Sequence, residues 1–275
     1  MIDALGRKSA SPAIAALRRY VTDYVNRHDF SVIREFMTED YTLHTGGALV
    51  SGRDGPYKAA VAQQLEQFPG LIFTAHELVH CGDRIGIRFT EHGASTRHDG
   101  RCAAWPSIAI YGLRDGRLAR CAIEQDYFSR RRQLDCGVAI PVDRPALAPW
   151  DTRQSAPNPV AEQLVSAWLR DCGFLHASGV QVDDSNATGT KARIIDSPDL
   201  SVTEMLSGGE TVAFHAVQTG VLTDDFGGDV SPVPGQPVSL HLSGLVTVHG
   251  DRVVRGNVIR DRWGLYRRLT KQKAA

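Results

Sequence analysis

Between Leu71 and Phe128 four stretches rich in β-forming residues follow one another: LIFTAHELVH, RIGIRFTEH, CAAWPSIAIYGL and RLARCAIEQDYF. Glycine-containing breaks at Gly82, Gly93–Gly100 and Gly116 separate them. Strands joined by such short turns pair with their neighbours, so this region is constrained to an antiparallel meander. A meander must bury one face, and the segments that can cover it come earlier in the chain. Ile14, Leu17, Val21 and Tyr24–Val25 recur at helical spacing after Ser11-Pro12, which predicts a helix start there. A short helix is expected over 30–37 with Asp29 as its N-cap, and a strand over 41–44 that ends at the Gly46-Gly47 turn. A third helix is expected over 54–67. The layout is α+β.

The pattern returns. Residues 201–222 correspond to 73–94, residues 238–269 correspond to the last two strands, and PVAEQLVSAWLRDC supplies an opening helix. The second copy needs about 50 residues (159–208) to reach its Gly-Gly turn, against about 70 (13–82) in the first. Its second and third helices and the strand equivalent to the one carrying His44 are expected to be lost, with GVQVDDSNATGT in their place. The stretch from 135 to Pro159 holds five prolines and no sustained period. The expected organisation is a domain over 1–134 with a pocket, a Pro-rich linker over 135–158, and a degenerate domain over 159–275. Internal duplication with loss explains it most simply.

Residues 76–80 read HELVH, the signature of zinc peptidases when it lies on a helix. Here it stands between Pro69-Gly70 and Gly82-Asp83, among β-formers. In a strand, residues four apart are roughly 13 Å from each other, against about 6 Å in a helix. His76 and His80 are therefore expected on one face, at the surface, with Glu77 opposite, and no metal is expected. Charge balances at 31 basic and 31 acidic residues, which argues against nucleic acid or a membrane as partner. Arg130-Arg131-Arg132 is expected to be a solvated strand end. Five cysteines without a C-x-x-C pair suit reduced thiols in a cytoplasmic protein. Met1–Ser11 has no apolar stretch of signal-peptide length, so Asn186-Ala187-Thr188 is expected to be silent as a sequon.

With this layout in place, residues 36–134 resemble the SnoaL-like polyketide cyclase and ester cyclase family of the nuclear transport factor 2-like, ketosteroid isomerase-like superfamily. The resemblance runs through Glu39-Asp40-Tyr41, His44, Phe68-Pro69-Gly70-Leu71, Gly82-Asp83-Arg84-Ile85, Asp115-Gly116-Arg117-Leu118, Asp126 and Gln133-Leu134. The second half is similar through Thr219-Gly220, Gly250-Asp251-Arg252-Val253, Asp261-Arg262 and Gly264-Leu265. It implies two tandem cone-shaped domains, each a curved antiparallel sheet packed on helices, the second truncated, packed together as an internal pseudo-dimer and open to further homodimerisation. It also implies cofactor-independent chemistry on small apolar molecules. The aldol cyclases of the family are similar in using a carboxylate and a histidine at positions occupied here by Ile123 and Ala109, and in the second half by Val258 and Gly244. None of these side chains moves a proton.

Strand parity supplies other candidates. Ile85, Ile87 and Phe89 share an inward face that Glu91 continues toward the rim, where a desolvated carboxyl suits a general acid or base; the plainer reading is a rim Glu in water. The resemblance adds His44 as proton shuttle, against a purely hydrogen-bonded role. Trp105, Ser107 and Tyr111 on one strand, with Cys121, Ile123 and Gln125 on the next, are expected to line a substrate pocket, or else to be core. Asp126 reads as structural, and Cys121 as an inert thiol. The expected function is a cofactor-independent enzyme, a cyclase, isomerase, dehydratase or hydrolase, with Glu91 and His44 transferring protons on a polyketide- or terpenoid-like substrate. The alternative is a non-catalytic small-molecule-binding or assembly protein of the same fold.

Overall fold

The computed structural model describes residues 11–223 and 234–273. Residues 1–10, most of the stretch read for a signal peptide, lie outside the described residues. The Ser11 hydroxyl accepts the Ile14 N–H at 3.2 Å and Pro12 opens the first turn, so α1 (Pro12–Arg19) starts where the capping residues put it. It continues as a wider π-helical segment, Tyr20–Val25. Asp29 caps a 3-10 turn through the Ser31 N–H, and α2 (Ile33–Phe36) follows. β1 (Met37–Thr45) turns through Gly46 and Gly47, both at positive φ, into β2 (Ala48–Ser51). After α3 (Lys58–Gln67) come β3 (Ile72–Cys81), β4 (Arg84–Ala94), β5 (Cys102–Arg114) and β6 (Arg117–Gln125). The six strands lie in the order β2-β1-β6-β5-β4-β3, with β1 parallel to β6 and the meander antiparallel.

Two expectations at the end of this sheet are corrected. The last strand stops at Gln125, because Asp126 turns the chain into α4 (Tyr127–Cys136) by accepting the Ser129 N–H at 3.1 Å. Arg130, Arg131 and Arg132 therefore lie on a helix, not at a solvated strand end. The chain from 137 to 158 has a 3-10 turn, Pro149–Asp151, as its one regular element. It runs along the edge strand: Ala146 N–H donates to Ala75 O and Ser155 N–H to His80 O, each at 2.9 Å. A sheet edge that would otherwise offer free backbone groups is thereby covered.

The second half contains α5 (Pro159–Arg170), α6 (Gly173–His176), β7 (Val180–Val182), α7 (Ser185–Thr188), β8 (Ile195–Gly208), β9 (Thr211–Leu222), β10 (Pro237–His249), β11 (Arg252–Arg260) and α8 (Arg262–Lys273). Its sheet order is β7-β11-β10-β9-β8. The strand expected to be lost is present as three residues: β7 runs parallel to β11 as β1 does to β6. Val180 and Val182 are buried, so even this short strand has an apolar face to anchor it. Bulges also correspond, at Ala75/Glu77 in β3 and Val202/Glu204 in β8, and in β6 and β11 opposite Gly112/Leu113 and Thr247/Val248.

The fold is α+β, two curved sheets packed on helices. One core lies in the first cone, around Tyr20, Tyr24, Trp105 and Tyr111. A second lies between α5 and the second sheet. A separate apolar layer of Val79, Ile108, Ile110, Leu206, Ala213, Leu245 and Ile259 joins the outer faces of the two sheets. At Gly86 the approach is so close that a Cβ would come within 2.5 Å of the Ala213 Cβ. None of the five cysteines is paired, and no described helix is long and apolar enough to cross a membrane.

Candidate functional site

The His-Glu-x-x-His segment lies on β3, a strand as expected, but the β-bulge changes which way its residues face. His76 is the inserted residue between Ala75 and Glu77. Its Nδ1 is 2.9 Å from Arg144 O and its Nε2 2.8 Å from Thr90 Oγ1. His80 stands opposite Ile85, an inward residue, with Nε2 2.9 Å from Gly82 O. Both rings are buried and they do not share a face, which corrects the expectation of two surface histidines.

Glu91 is buried between Phe73 and Trp105. Its Oε2 accepts three hydrogen bonds, from Gln64 Nε2 at 2.7 Å, Gln125 Nε2 at 2.8 Å and Trp105 Nε1 at 3.0 Å. Burial raises its carboxyl above the usual range, and the three donors pull it part of the way back. Tyr127 donates to Gln125 Oε1, and the Arg130 guanidinium sits 4.3 Å from the Tyr127 ring and 4.9 Å from Trp105. This is a polar hub that ties α3 to β4, β5, β6 and α4.

The residues expected to line an apolar hollow are packed. Trp105, Ser107, Tyr111, Cys121 and Ile123 are buried members of a packed interior. The π-helical segment pushes Tyr20 and Tyr24 into the cone, with the Tyr20 ring 5.7 Å from that of Tyr111 and its hydroxyl 3.0 Å from Tyr57. The Ser107 hydroxyl faces Trp105 O at 3.5 Å, and burial pushes the Cys121 thiol up to about 12. Of the set, Gln125 alone is half-buried, and it is held by Glu91.

His44 is not near Glu91. On β1 it pairs with Ala122 of β6, on the face turned to the second sheet, whereas Ile123 and Gln125 face the cone. His44 borders a cavity of about 360 Å³ between the two sheets. Thr45, Gly47, Ala48, Leu49 and Ala122 wall it on one side, and Thr203, His215, Val217 and His241 on the other. Arg120 and Glu204 form an ion pair at this boundary, and Arg84 joins it at 2.6 Å.

Glu124, on the same face of β6, meets two histidines of the second sheet. Its Oε1 is 3.0 Å from His215 Nε2 and accepts the Gly46 N–H at 3.1 Å. His215 Nδ1 is 2.6 Å from Thr203 Oγ1, while that hydroxyl donates to His215 O at 3.0 Å. The Thr203 proton is therefore committed, Nδ1 carries the ring proton, and the Nε2 lone pair faces Glu124. The His241 ring lies 5.8 Å from that of His215 and makes no hydrogen bond to another described residue. Burial raises the Glu124 carboxyl well above its usual range and lowers both imidazoles to about 4, so both rings are neutral near pH 7. One ligand atom from each of the three lies within 4.8 Å of the other two. Sequence reasoning missed this cluster. Parity does place Glu124 opposite Ile123, on the outer face, but nothing local marks β9 and β10 as its neighbours.

Residues 17–121 match the SnoaL-like domain family. No curated protein sequence matches. Solved structures similar to about half of the chain include IdmH of Streptomyces antibioticus, described as a candidate polyketide cyclase, at 20% identity over 46% of this chain and 99% of that one, with a TM-score of 0.40. AclR of Streptomyces galilaeus, described as a candidate hydroxylase, is 16% identical over 48% of this chain and all of that one, at 0.41. TsrD of Streptomyces laurentii is 20% identical over 46% of this chain and 98% of that one, also at 0.41.

Proposed function

We propose that this protein is a cyclase-type enzyme that acts by proton transfer on a small apolar molecule, polyketide- or terpenoid-like, held between the two sheets. One observation carries the reading: titratable side chains from both halves converge on a cavity of about 360 Å³, within the range of small-molecule sites. Ala48, Leu49, Ala122 and Val217 give it apolar walls. His241, unprotonated at neutral pH, accepts a proton from the bound molecule, and His44 serves the other wall. The Glu124–His215 pair holds a further proton at the edge of the chamber. In the first cone, Tyr20 and Tyr24 pack into the core beside Trp105 and Tyr111.

A second reading keeps the reaction at Glu91, favoured by its raised carboxyl beside Gln125 and Arg130. Turnover on a panel of lactones, epoxides and polyketide esters separates the two. The chamber reading expects His241→Gln to lose at least about tenfold in kcat/KM and Glu91→Gln to stay within about threefold of wild type. Loss confined to folded Glu91→Gln would move the reaction back to the cone. Saturable binding without turnover in the wild type would favour the non-catalytic alternative.

A further inference from the structure

We propose that Glu124, His215 and His241 form a binding site for a divalent first-row transition-metal ion, of the zinc or iron(II) class, at the boundary of the inter-sheet chamber. The inference rests on the chamber reading for the ion's role, but not for its binding, and it departs from the sequence-based expectation of no metal.

Two imidazoles and one carboxylate are a donor set that such ions favour over magnesium or calcium. A nitrogen and an oxygen bound to one ion at about 2.1 Å each stand about 3.0 Å apart at the right angle of an octahedral site and about 3.4 Å apart in a tetrahedral one. Glu124 Oε1 and His215 Nε2 stand 3.0 Å apart, the octahedral spacing and a few tenths of an ångström inside the tetrahedral one. The outer contacts also suit a ligand role. Thr203 fixes the His215 tautomer from behind, leaving Nε2 free to bind, as the second partner of a metal-bound histidine does. Gly46 and Gly47 bring the β1–β2 turn against the cluster: a Cβ on Gly47 would stand 3.0 Å from His241 Nε2.

Charge balance points the same way. Glu124 and Asp261 are buried carboxyls, and the cation near them is Arg268, which binds Gly46 O at 2.9 Å and Asp261 Oδ2 at 3.3 Å. Among the described residues no Lys or Arg pairs with Glu124 directly. An ion would supply that charge. His215 and His241 line the chamber, so a bound ion would lie at its boundary, where it would polarise a carbonyl oxygen of the bound molecule; His241 would then be a ligand, and His44 in its place would accept the proton.

Each ligand comes from a different strand, and the site spans both halves, so the test uses the full chain. Chelator-treated protein is titrated with Zn²⁺ and with Co²⁺, followed by calorimetry and by cobalt visible absorption. Expected are one ion per chain and weakening of about 100-fold or more in His241→Ala. The near-isosteric Glu124→Gln should behave alike, and Thr203→Ala should weaken binding by about tenfold. A rise in melting temperature on adding zinc should occur in wild type and not in His241→Ala. Equal binding by wild type and folded His241→Ala, or no binding at all, overturns the site. If no ion binds while His241→Gln still loses turnover, the metal is refuted and the proton-transfer reading stands. If the ion binds and turnover ignores the chamber variants, the reverse holds.

Discussion

Burial sets the protonation of the side chains around the chamber. His215 is nearly inaccessible, and His241 lies half-buried beside it and Arg268; desolvation holds both imidazoles down at about 4. The unfolded chain takes up protons on these rings near the ordinary 6.5, whereas the folded one does not until about 4. Each ring thus costs stability as pH falls through that window. Glu124, Glu91 and Asp126 act in the opposite sense, because their raised carboxyls keep protons that the unfolded chain releases. The net curve mixes these terms, so the informative quantity is a difference. The stability of wild type minus that of His241→Gln, from denaturant melts at several pH values, should fall by about 1–2 kcal/mol between pH 6.5 and pH 4, the shift being discounted for the partial exposure of the ring. Parallel curves would show that the ring titrates as it does in water.

At the level of elements, the strands were legible because their turns were: Gly82-Asp83, Asp115-Gly116 and Gly250-Asp251 each close a hairpin at the expected place. What escaped was decided by tertiary contact. β7 is three residues inside a polar loop, recognisable once β11 lies beside it. The bulge at His76 turned one histidine of HELVH away from the other, which strict alternation cannot foresee. Tyr127 and Phe128 look β-forming but follow a cap. Asp126 and Asp261 recur for that reason: each accepts an N–H three residues on, from Ser129 and Gly264, and starts the closing helix of its half. Asp126 does more, since Arg262 reaches both of its oxygens, at 2.8 and 2.9 Å, and Asp184 at 2.9 Å. Asp126→Ala therefore removes a cap and one partner of a buried guanidinium. It should cost about 2–4 kcal/mol by denaturant unfolding, and Asp126→Asn, which can still cap, less. A cost below about 0.5 kcal/mol would show that Asp184 and Asp183, whose Oδ2 lies 3.3 Å from Arg262 Nε, hold the guanidinium without it.

At the scale of the whole molecule, two sheets of matching order lie back to back, with bulges at corresponding places, as we would expect of a duplicated domain. Pairing the outer faces through Ile108, Ile110, Ala213 and Leu245 does more than bury apolar surface. It brings Glu124 of one half against His215 and His241 of the other, and it leaves the chamber that His44 borders. The candidate site was therefore half legible. His44 was picked out, but Glu91, its expected partner, lies on the opposite face of the same sheet, in an interior that Tyr20 and Tyr24 help to pack. On this account the second half is part of the site, which a role as scaffold alone would not require. The most direct test is a crystallographic difference map of the full chain soaked with the tightest-binding compound of the lactone and ester panel. Density between the Gly46-Gly47 turn and His241 is the predicted result; density inside the first cone against Glu91, with the chamber empty, would contradict it.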